Sequence, residues 1–504
     1  MICGFRLTQN YGSMVDRTDV VVIGGGFGGL TCALSLAKAG RSVLVLERAA
    51  VLGGAFQSFR RRGQLLDTGF HYVGGVGEGE VMHPLIRFFG LEDLPWQPLD
   101  DPFLDVYLKG HHYALHRGYD RFVDALAADF PEDRDALREL AGLMREINEH
   151  IYESVLPGTT VQSNSLMTVS ARTYLEARFS SPELRDVLCG QCFTTELTDE
   201  LPLYSFLQSL NSFIQGAYRL KGGGDVLIRR LAEQIEALSG RILTGKAVNR
   251  FEISDDGRIA AVVCDDGGTF AADTFISTLH PALTTDLIPE CPQVRGIYRR
   301  RMHRLENTAG MFTVQLALKP GTVPYRNRNV SVLEGDDIWH SSCGRDDRVR
   351  NLLLHYNVPD SGAFATNIDL LTPMDWDSVR EWEESSVGRR PDGYREFKQR
   401  KAEECIAIAQ RYIPDLQGNI EQVWTSTPLT YRDYTSIPQG SSFGVRKSCQ
   451  NVIGTVISPQ TPFPNLFLAG QSLMLHGMLG TAMTSVKTCN QICGQNLLEG
   501  RCGR

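Results

Sequence analysis

The stretch VVVIGGGFGGLTCALSLAKAG, Val20 to Gly40, constrains this chain more than any other. Asp19–Ile23 is a short apolar run suited to a parallel strand buried on both faces. Gly24, Gly26 and Gly29 follow as G-x-G-x-x-G, helical spacing runs from Gly28 to Ala39, and Gly40 stops it. Ser42–Leu46 is the next buried strand, with Glu47 at its end. That order predicts a βαβ unit of an open parallel sheet. Gly24 permits the tight turn, Gly26 lets backbone approach a pyrophosphate, and Gly29 allows close helix–strand packing. The phosphates then sit at the positive helix N-terminus. Glu47 is placed to accept hydrogen bonds from a ribose, and its charge would repel a 2′-phosphate.

A second strand–glycine–helix crossing lies near the C-terminus, in LAGQSLMLHGMLGTA, Leu468 to Ala482. Gly470 and Gln471 stand at its turn, His476 and Gly477 before its helix. Between the two crossings the character changes. From about Gly79 to Gln215 the pattern reads as mostly helical, with HHYALHR as an alternating strand. Lys221–Gly224 opens an amphipathic helix, and the segment from Arg241 to Thr278 reads as strands joined by tight turns. Asp255-Asp256-Gly257 and Asp265-Asp266-Gly267 explain themselves as turn chemistry rather than as metal ligands. From Cys291 to about Gln439, strands such as MFTVQLALKP mix with a long charged helix, REFKQRKAEECIAIAQRYI.

Gly53-Gly54 after Glu47, then DTGFHYVGG at Asp67–Gly75, separate FAD from NAD readings of the first motif. Here the sequence resembles the FAD-dependent amine oxidase and phytoene desaturase superfamily. With Gly470-Gln471 and His476-Gly477 it looks most like the carotenoid isomerase and retinol saturase branch. The resemblance implies that the C-terminal strand returns beside the first motif, so that one long cofactor is gripped from both ends of the chain. It implies that Val248 meets the adenine through its backbone. Gly470 lets the backbone approach the ribityl–phosphate region, and the helix after Gly477 points its N-terminus at the flavin O2 side, where it favours negative charge. Many relatives have Asp where this chain has Gln471, which removes a charge near the cofactor. His476 and His71 are the candidate catalytic residues, each weighed against a purely structural role.

The expected fold is α/β: a discontinuous Rossmann-like FAD-binding domain, parallel sheet plus β-meander, with an interleaved α+β substrate domain. The expected boundaries are a tail at 1–16, an FAD domain from 17–78, 216–290 and 440–504, and a substrate domain from 79–215 and 291–439. The expected function is an oxidoreductase with non-covalent FAD, acting on a carbon–carbon double bond of an apolar polyene or isoprenoid. Saturation, desaturation and isomerisation share that architecture. The alternatives are a flavin amine oxidase, for which LHGMLGTA offers no flanking aromatic pair, and a prenyl-binding protein of the GDP-dissociation-inhibitor type.

Net charge of -8 argues against nucleic-acid binding. Arg60–Arg62 and Arg299–Arg301 read as solvated faces rather than membrane patches. No stretch reaches the roughly 18 apolar residues of a spanning helix. The N-terminal segment has no signal-peptide core, and Met14 is a candidate start. Twelve scattered cysteines suit a reducing compartment. The expected location is therefore cytoplasmic, with peripheral membrane contact left open, and the expected partners are an apolar small molecule and an unidentified electron donor or acceptor. Cys189 with Cys192, Cys489 with Cys493, and His111, His112 and His116 read as structural rather than redox or metal sites, and no metal is expected.

Overall fold

The computed structural model describes residues 16–159, 164–191, 193–340 and 342–499. The N-terminal tail, Cys192 and Cys502 lie outside them. Four strands run parallel in the order Arg241–Thr244, Val43–Glu47, Asp16–Ile23, Thr269–Ser277. The long last strand changes partner along its length. Its first half pairs with the antiparallel hairpin Val248–Ile253/Ile259–Cys264, and its second half with the parallel strand Leu466–Leu468. The C-terminal segment thus returns beside the first strand's neighbour.

Alternation in Val20–Ile23 decides what covers each face. Val20 and Val22 pack toward the helices Phe27–Lys38 and Gly477–Cys493, whereas Val21 and Ile23 join Phe251, Val262 and Phe275 of the meander. The meander turns are closed by Gly257 (φ 79°) and Gly267 (φ 83°), left-handed positions that glycine takes without strain.

A second sheet has the order Ile420–Ser426, Gly310–Leu318, Asn367–Met374, Asn351–Tyr356, Asn329–Leu333, Leu104–Leu108, His111–Leu115. One face carries Ile368, Leu370, Leu352 and Leu354 against the helix Asp392–Tyr412. The other carries Leu371, Leu353 and Leu333 in a core shared with the helix Leu203–Gln215. The reading of 79–215 as mostly helical needs correction at its start. Leu104–Leu108 pairs with His111–Leu115 across a turn at Lys109 and Gly110, both at positive φ. The apolar run FLDVYL is too short for a helix and finds its partner only across that turn.

Candidate cofactor site

A cleft of about 400 Å³ opens at the C-terminal ends of the parallel strands. Gly24, Gly26, Gly28, Glu47, Gly53, Gly54, Val248, Gly470, Gln471 and Gly477 all line it. Two helices start at its wall. Phe27–Lys38 has Gly26 as its N-cap and Gly477–Cys493 has His476, and neither start carries a capping side-chain hydrogen bond or an acid in its first turn. Their free N–H groups and positive ends make the cleft receptive to anionic groups.

The two helices are packed together. A Cβ on Gly28 would come within 3.1 Å of Thr481 Cγ2 and 3.3 Å of Gly470 Cα. Thr31 Oγ1 donates to Ser485 Oγ (2.9 Å), and Ser485 Oγ donates to Gly28 O (3.1 Å).

The glycines differ in what requires them. Gly24 has φ +104°, and a Cβ on Gly29 would lie 1.9 Å from Gly24 O. Both are demanded by the fold, and Gly29 does its work outside the cleft lining. A Cβ on Gly26 would meet nothing closer than Gly53 O at 3.8 Å. The protein itself leaves room there, on the wall of the cleft. These residues fit a phosphate-bearing dinucleotide.

Glu47 does more than the sequence suggests. Its Oε2 accepts from Gly25 N (2.6 Å) and its Oε1 from Ala49 N (2.8 Å). A carboxylate offers about four acceptor positions, so capacity remains for a ribose. A second anchor was invisible in the sequence. Lys447 is buried and donates to Thr455 O, Ser472 O and Leu473 O at 2.9, 2.7 and 3.1 Å. It fixes the segment that follows Gln471. Desolvation pushes its ammonium down to about 7, but three carbonyl acceptors favour the charged form.

The two candidate histidines occupy different surroundings, and neither lines the cleft. His476 Nε2 lies 3.0 Å from Thr194 O, so that nitrogen carries the hydrogen, and the Phe443 ring packs at 4.9 Å. Burial pushes its pKa down to about 4, against a smaller opposing effect of the Thr194 bond.

His71 Nδ1 lies 3.4 Å from Asp369 Oδ2 and makes no hydrogen bond among the described residues. The imidazole side chain is 11% exposed, the carboxylate fully buried. His71 also meets the ring of His355 edge-on at 5.2 Å. His355 Nδ1 donates to Asn329 Oδ1 (3.2 Å), which also accepts from Arg219 Nη2 (2.7 Å).

Gln315, Asp369, His355 and Asn329 form one row across the second sheet. None of that row, nor Arg219, was picked out in the sequence. Tyr72 ties the row to the helix Leu203–Gln215, ring to ring with Phe213 at 4.8 Å and with His355 at 6.2 Å.

The remaining candidates are dispersed. His111, His112 and His116 face Glu183, Asp105 and Asp101 respectively. Cys489 packs on Cys32 O, and Cys189 is buried.

Fold and cleft together define a nucleotide-cofactor oxidoreductase architecture. The family described as flavin containing amine oxidoreductase matches residues 27–493, and the chain belongs to it. It is similar to human all-trans-retinol 13,14-reductase, 25% identical over 96% of this chain and 86% of the relative. Similarity also extends to prolycopene isomerase 1 of an Oncidium hybrid cultivar, 22% identical over 96% and 85%. Among solved structures, an oxidoreductase from Methanosarcina mazei matches with a TM-score of 0.60 at 20% identity, over 93% of this chain and 98% of that one.

Proposed function

We propose that the protein is an FAD-dependent oxidoreductase acting on a carbon–carbon double bond of an apolar polyene of retinoid or carotenoid type. What carries this reading is the likeness along 96% of the chain to proteins named for retinol reduction and prolycopene isomerisation. The ten residues gathered around the cleft support it. In this reading Gly26, Gly28 and the helix start at Phe27 take the pyrophosphate, and Glu47 takes a ribose hydroxyl. Val248 offers backbone to the adenine. Gly470, Gln471 and the helix start at Gly477 hold the ribityl and flavin end. Bound non-covalently, FAD supplies hydride exchange at its N5.

His71 is the better-placed of the two histidines to hold or move a proton. Its Nδ1 makes no hydrogen bond among the described residues, and the buried Asp369 carboxylate lies 3.4 Å from it. His476 commits its N–H to Thr194 and stays neutral near pH 7, which suits an N-cap that shapes the helix start.

Denaturation is the direct test. The purified protein should be yellow and release FAD, with no flavin left on the acid-precipitated chain. Reduced anaerobically, it should turn over a member of a retinoid and carotenoid-precursor panel. A colourless protein that refuses added FAD, or one that oxidises amines and ignores every polyene, would overturn the proposal.

A further inference from the structure

The largest cavity described, about 980 Å³, is not the cofactor cleft but its neighbour. Its lining holds an apolar patch, the buried Leu197, Met311 and Trp339, beside the Glu196–Arg446 ion pair, and Phe443 packs against His476. Behind Phe443 comes Gly444, where a Cβ would lie 2.6 Å from Ser472 Oγ and 3.4 Å from Gln471 Cγ, both cleft residues. One turn of chain therefore separates the cavity from the cofactor cleft.

The mouth is different. Ile297 (68% exposed) and Ile453 (75%) are the most exposed large apolar side chains among the described residues. They share one rim, because Arg301 Nη2, on the helix Gly296–His303, donates to Ile453 O at 2.9 Å. Ile297, Arg300, Arg301 and Arg304 line that rim.

Residues 295–304 carry five arginines and no acid in a chain of net charge -8. Arg299 is spent inward on the carbonyls of Thr285, Ile288 and Pro289. Arg300 and Arg304 have no ion-pair partner among the described residues, while four of the five acids that line the cavity have partners of their own and Asp375 sits on the wall away from the helix Gly296–His303, close to Pro373 in sequence. Glu196 and Glu306 share Arg446, Asp199 pairs with Arg172, and Glu200 accepts from Ser448.

We propose that this rim docks on an anionic lipid bilayer. Ile297 and Ile453 enter the acyl boundary, and Arg300, Arg301 and Arg304 meet anionic headgroups. An arginine-flanked apolar tip is the chemistry of an interfacial anchor, and the local positive charge complements the membrane rather than the acidic remainder of the protein. Docked this way, the cavity mouth faces lipid, and the apolar patch of Leu197, Met311 and Trp339 shares the cavity with Phe443. A substrate drawn from the bilayer then reaches the cofactor cleft without crossing water. The reading of arginines 299–301 as a solvated face is thereby replaced for this cluster, though not for Arg60–Arg62. The role as substrate entrance rests on the apolar-substrate reading, whereas docking itself is measurable without turnover.

Cosedimentation of the purified flavoprotein compares vesicles of phosphatidylcholine alone with vesicles that also contain phosphatidylserine. Binding should need the anionic lipid and weaken with salt. Replacing the three rim arginines together by Gln should weaken it about a hundredfold, at roughly fivefold per arginine. Ile297→Asp with Ile453→Asp should abolish it, while Val387→Asp, at a 54% exposed site elsewhere, leaves it unchanged. An unaltered visible spectrum certifies that each variant is folded. A wild type that ignores anionic vesicles, or a double isoleucine variant that binds them normally, would overturn the proposal. So would arginine-dependent binding that polyglutamate matches, which assigns the rim to an acidic protein. A protein that turns over a polyene in detergent but ignores vesicles would overturn docking alone.

Discussion

The cofactor cleft and the layer between the second sheet and the helix Leu203–Gln215 are built from opposite materials. The cleft is mostly backbone: glycines, two uncapped helix starts, and a glutamate clamped by Gly25 and Ala49 N–H groups. The layer is side chains: His71, Asp369, His355, Asn329 and Arg219, buried or nearly so, with polar atoms left unpaired. Backbone donors are fixed by the fold and suit a ligand gripped the same way in every turnover. Buried side chains with unpaired atoms are expensive to keep. On the function proposed above, binding falls to the first region and chemistry to the second.

The largest effect should come from the cleft. Gly26→Val places a branched side chain where the protein's own nearest atom is 3.8 Å away from a Cβ, so the fold tolerates it and the ligand does not. All bound flavin should be lost while the far-ultraviolet circular dichroism is kept. Flavin retained in this variant would mean that the pyrophosphate is held elsewhere.

His71→Ala should do the converse, keeping flavin and losing turnover by about 10²–10⁴-fold, the usual range for a general acid or base. Asp369→Asn should retain flavin and lower turnover by less than His71→Ala does, because the carboxylate that faces the His71 ring at 3.4 Å is replaced by a neutral amide of the same shape. Unchanged turnover in Asp369→Asn would break the link between the two residues.

These regions were not equally legible in the sequence. Gly24, Gly26, Gly29 and Glu47 announce themselves because strand, glycines, helix and acid must follow one another at short spacing. Gly470 and Gln471 were readable for the same reason. The row on the second sheet was not. In NLLLHY and NIDLLTPM, Asn351, His355, Asn367 and Asp369 alternate with apolar residues, which is the signature of a sheet with one wet face. The helix Leu203–Gln215 and the Asp67–Gly75 loop, the latter some three hundred residues away in sequence, together bury that face. Long-range burial leaves no local periodicity, so Asp369 and Arg219 had no signal. His476 had a signal in its place before Gly477, but the turn of its N–H to Thr194 had none.

His476→Gln is the smallest expected change in rate and sharpens the comparison most. An amide can still donate to Thr194 O, so the helix start at Gly477 should survive, flavin should be retained, and turnover should fall only a few-fold. Its larger signature is in stability against pH. The folded pKa of about 4 lies below the unfolded value near 6.5, so the unfolded chain binds a proton that the native chain refuses between those limits. The contribution of the neutral ring is fully present above pH 6.5 and is lost as pH falls toward 4, by an amount on the order of a few kcal/mol. His280, pushed down to about 4 by the same burial, adds a parallel loss that the variant leaves in place. Chemical denaturation at pH 7 and pH 4.5 should therefore show a smaller drop in the variant than in the wild type. A hundredfold loss of turnover with the pH dependence of stability unchanged would reverse the two assignments, making His476 the proton-handling group and His71 a structural one.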